Sequence, residues 1–487
     1  MSEDTPVNTG VSWPDEILAR ALVRKMQVKL HRWAGDDHSR RFTDLFNLVH
    51  DPAFLTAAWQ RVSTNTGART AGVDRATVSY IVHRIGVSAF LDQVRDLLKS
   101  GQFRPTPVRQ VMIPKPSGKV RKLGIPTVTD RVVQAALKLV LEPIFEVDFL
   151  PCSYGFRPMR RAHDAIAEIH AFTSRPRDYE WIVEADIAAC FDEIDHVALM
   201  DRVRVRIKDK KILALVKAFL KAGVMTGTGE RHDSWRGTPQ GGILSPLLAN
   251  VALTALDEHF DRQWKAFGDG NQRHRRRARG LATWRLVRYA DDFVVLVKGH
   301  QHHAEALLDD IAQVIAPLGL RLADDKTRVV HIDHGFDFLG HTIVRRTKRG
   351  SHKTYVFTYP SRKAMRAVRD RTRECTQNRS TLYRDLDEIL LTLGRSLRGW
   401  ANYFRHGSSS RHFQQVDYHA WKRIGAWIRR KHHPIPWREV RHRFTHGGRY
   451  AHNGITFHGA TSVKIERYRY RGSKIPNPWT TTTTTTT

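Results

Sequence analysis

Residues 286–289 and 293–297 are two short apolar runs, with Ala290-Asp291-Asp292 between them. So little chain separates the runs that they can lie side by side only as a β-hairpin, with both acids at or beside its tight turn. Carboxylates placed there are held by a rigid scaffold and still face solvent. An Asp-Asp pair at a turn is commonly no more than a cap. A third acid in a matching setting argues for more: Asp186 follows the run Trp181-Ile182-Val183, within Glu184-Ala185-Asp186-Ile187.

Three carboxylates on two neighbouring strands suit phosphoryl transfer, which needs positioning and charge neutralisation more than covalent chemistry. Two Mg²⁺ ions about 3.5–4 Å apart activate an attacking hydroxyl and stabilise a leaving oxygen. Mg²⁺ takes oxygen ligands, commonly one or two carboxylates plus substrate phosphates. The expected ligands are Asp186 and Asp291 bridging both ions, Asp292 completing the shell, and the Ile187 backbone carbonyl. Mn²⁺ is the natural substitute.

The match to a known palm extends beyond the acids. Ile113-Pro114-Lys115-Pro116-Ser117-Gly118-Lys119-Val120-Arg121, Ser153-Tyr154-Gly155-Phe156-Arg157-Pro158, Thr238-Pro239-Gln240-Gly241-Gly242, Asp325-Lys326-Thr327 and Gly335-Phe336-Asp337-Phe338-Leu339-Gly340 stand in order along the chain. In these blocks, over roughly residues 60–475, the sequence resembles bacterial group II intron-encoded reverse transcriptases and maturases. The resemblance implies an α+β right-hand polymerase: fingers and a palm with an antiparallel sheet, then a helical basic thumb. It implies an N-terminal extension at 1–60, fingers at 61–180, palm at 181–340 and a thumb or maturase domain at 341–479. It also implies that Lys115, Arg121, Phe191, Gln240 and Lys326 contact the incoming nucleotide. Phe191 would exclude a ribose 2′-hydroxyl, although an ordinary core position explains it equally well. Lys326 would lie near the leaving pyrophosphate. Where relatives often carry Lys-Gly after the first Asp-Ile, this chain has Ala188-Ala189, beyond the metal ligand. The paired cysteines of the relatives' C-terminal HNH endonuclease region are missing, so target-site cleavage is not expected.

Charge identifies the class of partner. The chain has 487 residues, 80 Lys/Arg against 49 Asp/Glu, and a formal charge of +31. From His341 to Trp479 there are 31 basic and 8 acidic residues, so most of the excess lies in the C-terminal part, away from the three acids. That imbalance points to a polyanion. The expected partners are a structured RNA template, such as an intron RNA, a DNA target or primer, and dNTPs. The residues singled out for RNA are Arg275, Arg276 and Arg277 in a charged insertion, read as a solvated loop or a phosphate-binding arm, and Arg366, Arg369, Arg398 and Arg405 in the thumb. For Trp400, packing between helices is preferred over base stacking.

No apolar stretch approaches the ~20 residues of a membrane span. The polar, acidic start lacks the layout of a secretory signal. Cys152, Cys190 and Cys375 form no Cys-x-x-Cys pair, and the 26 histidines are scattered. The bacterial cytosol is the expected location, with nucleoid association when mobile. Residues 1–15 read as a frayed tail, and the eight threonines at 480–487 as low-complexity sequence without function. Helical spacing begins near residue 14 and recurs at 44–49, 88–98, 212–220 and 247–253.

Three functions stay open at this point. The first is an intron-encoded polymerase that also assists splicing. The second is a related cellular reverse transcriptase in phage defence or a CRISPR-type system. The third is an RNA-folding protein that no longer polymerises, although binding alone requires none of the three acids.

Overall fold

The two apolar runs form the hairpin that their spacing predicts. Strand Thr283–Tyr289 turns back into strand Asp292–Lys298, with Tyr289 and Asp292 as the last register pair. The computed structural model describes residues 12–114, 120–226, 230–232, 236–238, 241–348, 350–432 and 435–480. It sets the hairpin in a four-stranded antiparallel sheet whose other members are Trp181–Asp186 and Arg328–His331. Strand Asp292–Lys298 lies inside this sheet, and Phe293, Val294, Val295, Leu296 and Val297 are at most 1% exposed. A strand reads as a continuous apolar run when both of its faces are covered. Here one side of the sheet carries helices Ser245–Ala266 and Gln301–Ile315, and the other carries helix Ala162–Thr173.

A second hairpin pairs Val108–Pro114 with Val120–Ile125, extended by the short strands Val224–Met225 and Arg231–His232. Behind it runs helix Val128–Phe145, capped by the Thr127 hydroxyl, which accepts from the Asp130 amide at 3.1 Å. This helix is apolar around most of its circumference because it packs against Glu16–Asp36, Pro52–Ser63 and Ser245–Ala266 at once.

Two local readings of the sequence need correction. Residues 13–15 are not tail: Trp13 Nε1 donates to Asp92 at 3.0 Å, and Asp15 caps helix Glu16–Asp36 by accepting from Leu18 at 2.8 Å. The insertion with Arg275, Arg276 and Arg277 is not a loop but helix Gly270–Ala278. Asp269 and Gln272 close a capping box at its start, and Arg is a good helix former.

Past a three-stranded sheet of Phe336–Phe338, His341–Thr347 and Thr354–Pro360, the chain turns helical. Helices Arg362–Gln377, Leu386–Phe404, Ser410–Lys431 and Trp437–Phe444 surround their own apolar cluster, in which Trp427 is fully buried. Trp400 packs on Phe404 and Phe413, at 4.9 and 5.8 Å between ring centres. The last segment leaves this cluster and straps back over helix Ala162–Thr173, which covers the four-stranded sheet. Tyr468 and Arg471 bind Asp164, Tyr470 binds the buried Glu168, and Trp479 donates to Gln27 in the first helix. Among the described residues no helix is long and apolar enough to cross a membrane.

Candidate active site

The register of the four-stranded sheet places the acids. Asp186 ends its strand directly opposite Asp292, the first residue of the neighbouring strand. Residues paired in this way project to the same face, with Cβ atoms about 4.5–5.5 Å apart. Asp291 stands in the two-residue turn beside them.

That turn is held from behind. Ala290 adopts a left-handed conformation, φ +59°, which an L side chain visits at a cost. Its carbonyl accepts from Arg288 Nη1 at 2.8 Å. The same guanidinium binds both oxygens of Asp257, at 2.7 and 2.5 Å, together with Asn250 Oδ1 and Ser153 Oγ. Gly155 completes the support: a Cβ there would lie 2.3 Å from the Ala290 amide nitrogen. Residues 250 and 257 are two helical turns apart on the otherwise apolar face of helix Ser245–Ala266. Polar residues at that spacing were the available sign of this network, and it was missed.

The acids crowd one another. Asp291 is pushed above the usual carboxylate range, first by burial and then by the Asp186 charge. Loss of solvent, followed by the charges of Asp186 and Asp291, pushes the Asp292 carboxyl up to about 6. The Lys326 ammonium donates to Asp186 Oδ2 and so already brings one cation into this cluster. Ile187 is buried at the strand end. The bridge that fixes it to Leu322 uses the Asp186 carbonyl and the Ala188 amide rather than its own carbonyl. Among the described residues no three or more His, Cys, Asp or Glu side chains are grouped so that they could hold a metal ion by themselves. The donor set is nonetheless the one Mg²⁺ takes: hard carboxylate oxygens whose mutual repulsion a cation relieves, with room left for substrate oxygens.

The other expected residues fall into two groups. Phe191 lies on the one-turn helix Cys190–Glu193, just beyond Asp186, its ring 6.3 Å from Phe156 and edge-on to it. It also packs against the main core, as an ordinary core position would. Arg121 on strand Val120–Ile125 is close enough for its charge to lower the Asp291 carboxyl. Lys326 reaches the acids directly. Lys115 and Gln240 lie outside the described residues. The backbone at Gly241 approaches the protein closely: a Cβ there would lie 2.5 Å from the Gly124 carbonyl oxygen.

Among the arginines assigned to RNA, Arg275 and Arg366 are exposed and Arg369 is half-buried. The others are used within the chain. Arg276 donates to the Ala282 carbonyl at 2.8 Å, and Arg277 to Thr283 Oγ1 at 3.3 Å. Arg398 donates to the His458 carbonyl at 3.0 Å, and Arg405 pairs with Glu466. A count of charges cannot separate these from arginines that face a ligand.

Residues 113–343 match the family described as reverse transcriptase (RNA-dependent DNA polymerase). Residues 365–445 match the group II intron maturase-specific domain. The chain is similar to protein YkfC of Escherichia coli (strain K12), 37% identical over 360 residues that cover 70% of this chain and 94% of that protein. It is similar to the group II intron-encoded protein LtrA of Lactococcus lactis subsp. cremoris, 32% identical over 448 residues that cover 78% of this chain and 73% of the other. Among solved structures it is similar to a telomerase from Candida albicans, with a TM-score of 0.38 and 14% identity over 68% of this chain and 62% of that one.

Proposed function

The chain belongs to the family of group II intron-encoded reverse transcriptases and maturases and is an RNA-directed DNA polymerase; we propose that it binds a cognate intron RNA, assists its splicing and copies it into cDNA. The observation that carries the catalytic part is the register pair Asp186–Asp292 with Asp291 on the adjoining turn. In this reading residues 61–180 act as fingers, 181–340 as palm and 341–479 as thumb and RNA-binding domain.

Asp186, Asp291 and Asp292, with the Ile187 carbonyl, would hold two Mg²⁺ ions, which when bound activate the primer hydroxyl and stabilise the departing pyrophosphate. The primer 3′-oxygen forms a bond to the α-phosphorus as the bond to the pyrophosphate oxygen breaks. Arg121, whose charge reaches Asp291, neutralises triphosphate charge, and Lys115 would share that role. Lys326 holds Asp186 in place and supplies positive charge beside the leaving group. Phe191, braced by Phe156, stands next to Asp186 where the sugar of the incoming nucleotide would pass, and Gln240 would line the same pocket. The strongly basic C-terminal part, with Arg366 exposed and Arg369 half-buried on it, suits the RNA backbone, as does the exposed Arg275 of helix Gly270–Ala278.

The test is to purify the protein from its host and sequence the RNA that accompanies it. A large structured transcript containing this reading frame, spliced faster when protein is added, is the expected result. A short RNA from a separate locus would overturn the intron assignment and leave the polymerase assignment standing.

A further inference from the structure

A cleft of about 500 Å³ opens in the thumb, away from the three acids, and nothing in the catalytic account uses it. That volume is within the usual range for a small-molecule site, about 300–1,000 Å³. Its walls are aromatic: Tyr418 and Trp421 from helix Ser410–Lys431, and Phe457 from just after the short strand Ile455–Thr456. Arg441 and Arg449 stand on its rim, both exposed.

The cleft is built in advance. Asp417 fixes its floor by accepting from the Ala460 amide at 2.6 Å, the Thr461 amide at 2.9 Å and the Thr461 hydroxyl at 2.5 Å. That loop closes only because residue 459 is glycine; a Cβ there would lie 2.1 Å from Asp417 Oδ1. The Trp421 ring is stacked on Trp437, 5.8 Å between centres and 12° from parallel, with the Arg441 guanidinium 5.7 Å from its own centre. Tyr418 is 61% exposed, with the Lys422 ammonium 4.6 Å from its ring centre, and a second face of the ring is left for a ligand.

We propose that this cleft takes one unpaired nucleobase of the bound RNA, stacked on Tyr418 and walled by the edge of the Trp421–Trp437 stack, with Arg441 and Arg449 on the flanking phosphates. The inference rests on the chain's RNA-binding reading and adds a place where a single base is recognised. Charge selects the occupant. From Tyr418 to Lys464 there are ten Lys/Arg and a single carboxylate, Glu439, which is paired with Arg443 at 2.8 Å. Asp417 is spent on the loop. Aromatic faces beside guanidinium groups with no free acid suit a base and its phosphates, and unpaired bases are the parts of RNA that aromatic side chains reach.

The full-length protein is crosslinked by ultraviolet light to its co-purifying RNA, and adducts are mapped by mass spectrometry. In parallel, affinity for that RNA is titrated over a range of salt for wild type, Tyr418→Ala and Tyr418→Trp. The expected result is nucleotide adducts on the peptide containing Tyr418 and Trp421. Tyr418→Ala loses on the order of 10-fold in affinity with an unchanged salt slope, because stacking releases no counterion, and Tyr418→Trp restores binding. Equal affinity for wild type and Tyr418→Ala would overturn the proposal, leaving the cleft to a protein partner, and so would a change confined to the salt slope. If the wild type itself does not bind RNA, the maturase reading fails together with this one. If the wild type binds and only the Tyr418 effect is missing, the cleft alone was misassigned.

Discussion

Arg288 and Asp257 form an ion pair in which neither side chain has any solvent exposure, and the same arginine donates to the Ala290 carbonyl of the turn that carries Asp291. A buried charge whose partner is removed is left desolvated and uncompensated, at a cost of about 3–5 kcal/mol. Asp257→Ala is therefore expected to lower unfolding stability by that amount in denaturant titrations. Arg288→Lys keeps a charge but cannot serve Asp257, Asn250, Ser153 and Ala290 together. It is predicted to lower kcat of primer extension more than it raises KM for dNTP. A purely structural pair would cost stability and leave kcat per folded molecule unchanged.

Gly155 makes the same point sterically. Gly155→Ala inserts a methyl group against the Ala290 backbone, which neither strand can yield easily. The expected outcome is a folded protein with a lowered melting temperature and a primer-extension rate reduced at least tenfold, one decade per about 1.4 kcal/mol of barrier. Wild-type extension by Gly155→Ala would show that the turn tolerates displacement.

Buried His341 makes stability depend on pH. Burial, reinforced by the nearby His163 and His406, pushes its imidazolium pKa down to about 4 from an ordinary value of 6.5. The unfolded chain thus takes up this proton at a higher pH than the folded chain does. The contribution is complete above pH 6.5 and is lost as pH falls towards 4, by at most about 3 kcal/mol. His341→Gln is expected to flatten the fall in melting temperature across that window. An unchanged pH profile would count against a buried neutral imidazole.

Lys326 occupies one oxygen of Asp186. Lys326→Ala removes an ammonium that competes with Mg²⁺ for that carboxylate, so the Mg²⁺ concentration for half-maximal extension should fall. The maximal rate should fall too, since charge beside the leaving group is lost. A rise in the Mg²⁺ requirement would place Lys326 in support of the metal instead.

The hairpin, its neighbouring acidic strand and the helices around them were legible because period and burial agree there: residues 293–297 are apolar without interruption and are covered on both faces. The network behind the turn was not, since Asp257 and Arg288 are 31 residues apart and each looks like an ordinary surface charge until the chain folds. Gly155 gave no local sign of its contact with Ala290. Helix Gly270–Ala278 was missed for a different reason: its charges drew attention away from the Asp269–Gln272 capping signal. Arg398 and Arg405 show the limit of reading function from charge, because satisfying carbonyls and acids of one's own chain calls for the same residue as gripping phosphate.

The most direct measurement compares primer extension with RNA binding in the Asp291→Ala/Asp292→Ala double variant. The register pair and its neighbour predict that extension disappears in Mg²⁺ and in Mn²⁺, while affinity for the co-purifying RNA stays within about twofold of wild type, since no phosphate contact is removed. Extension that survives in the double variant would contradict the assignment of these carboxylates to catalysis.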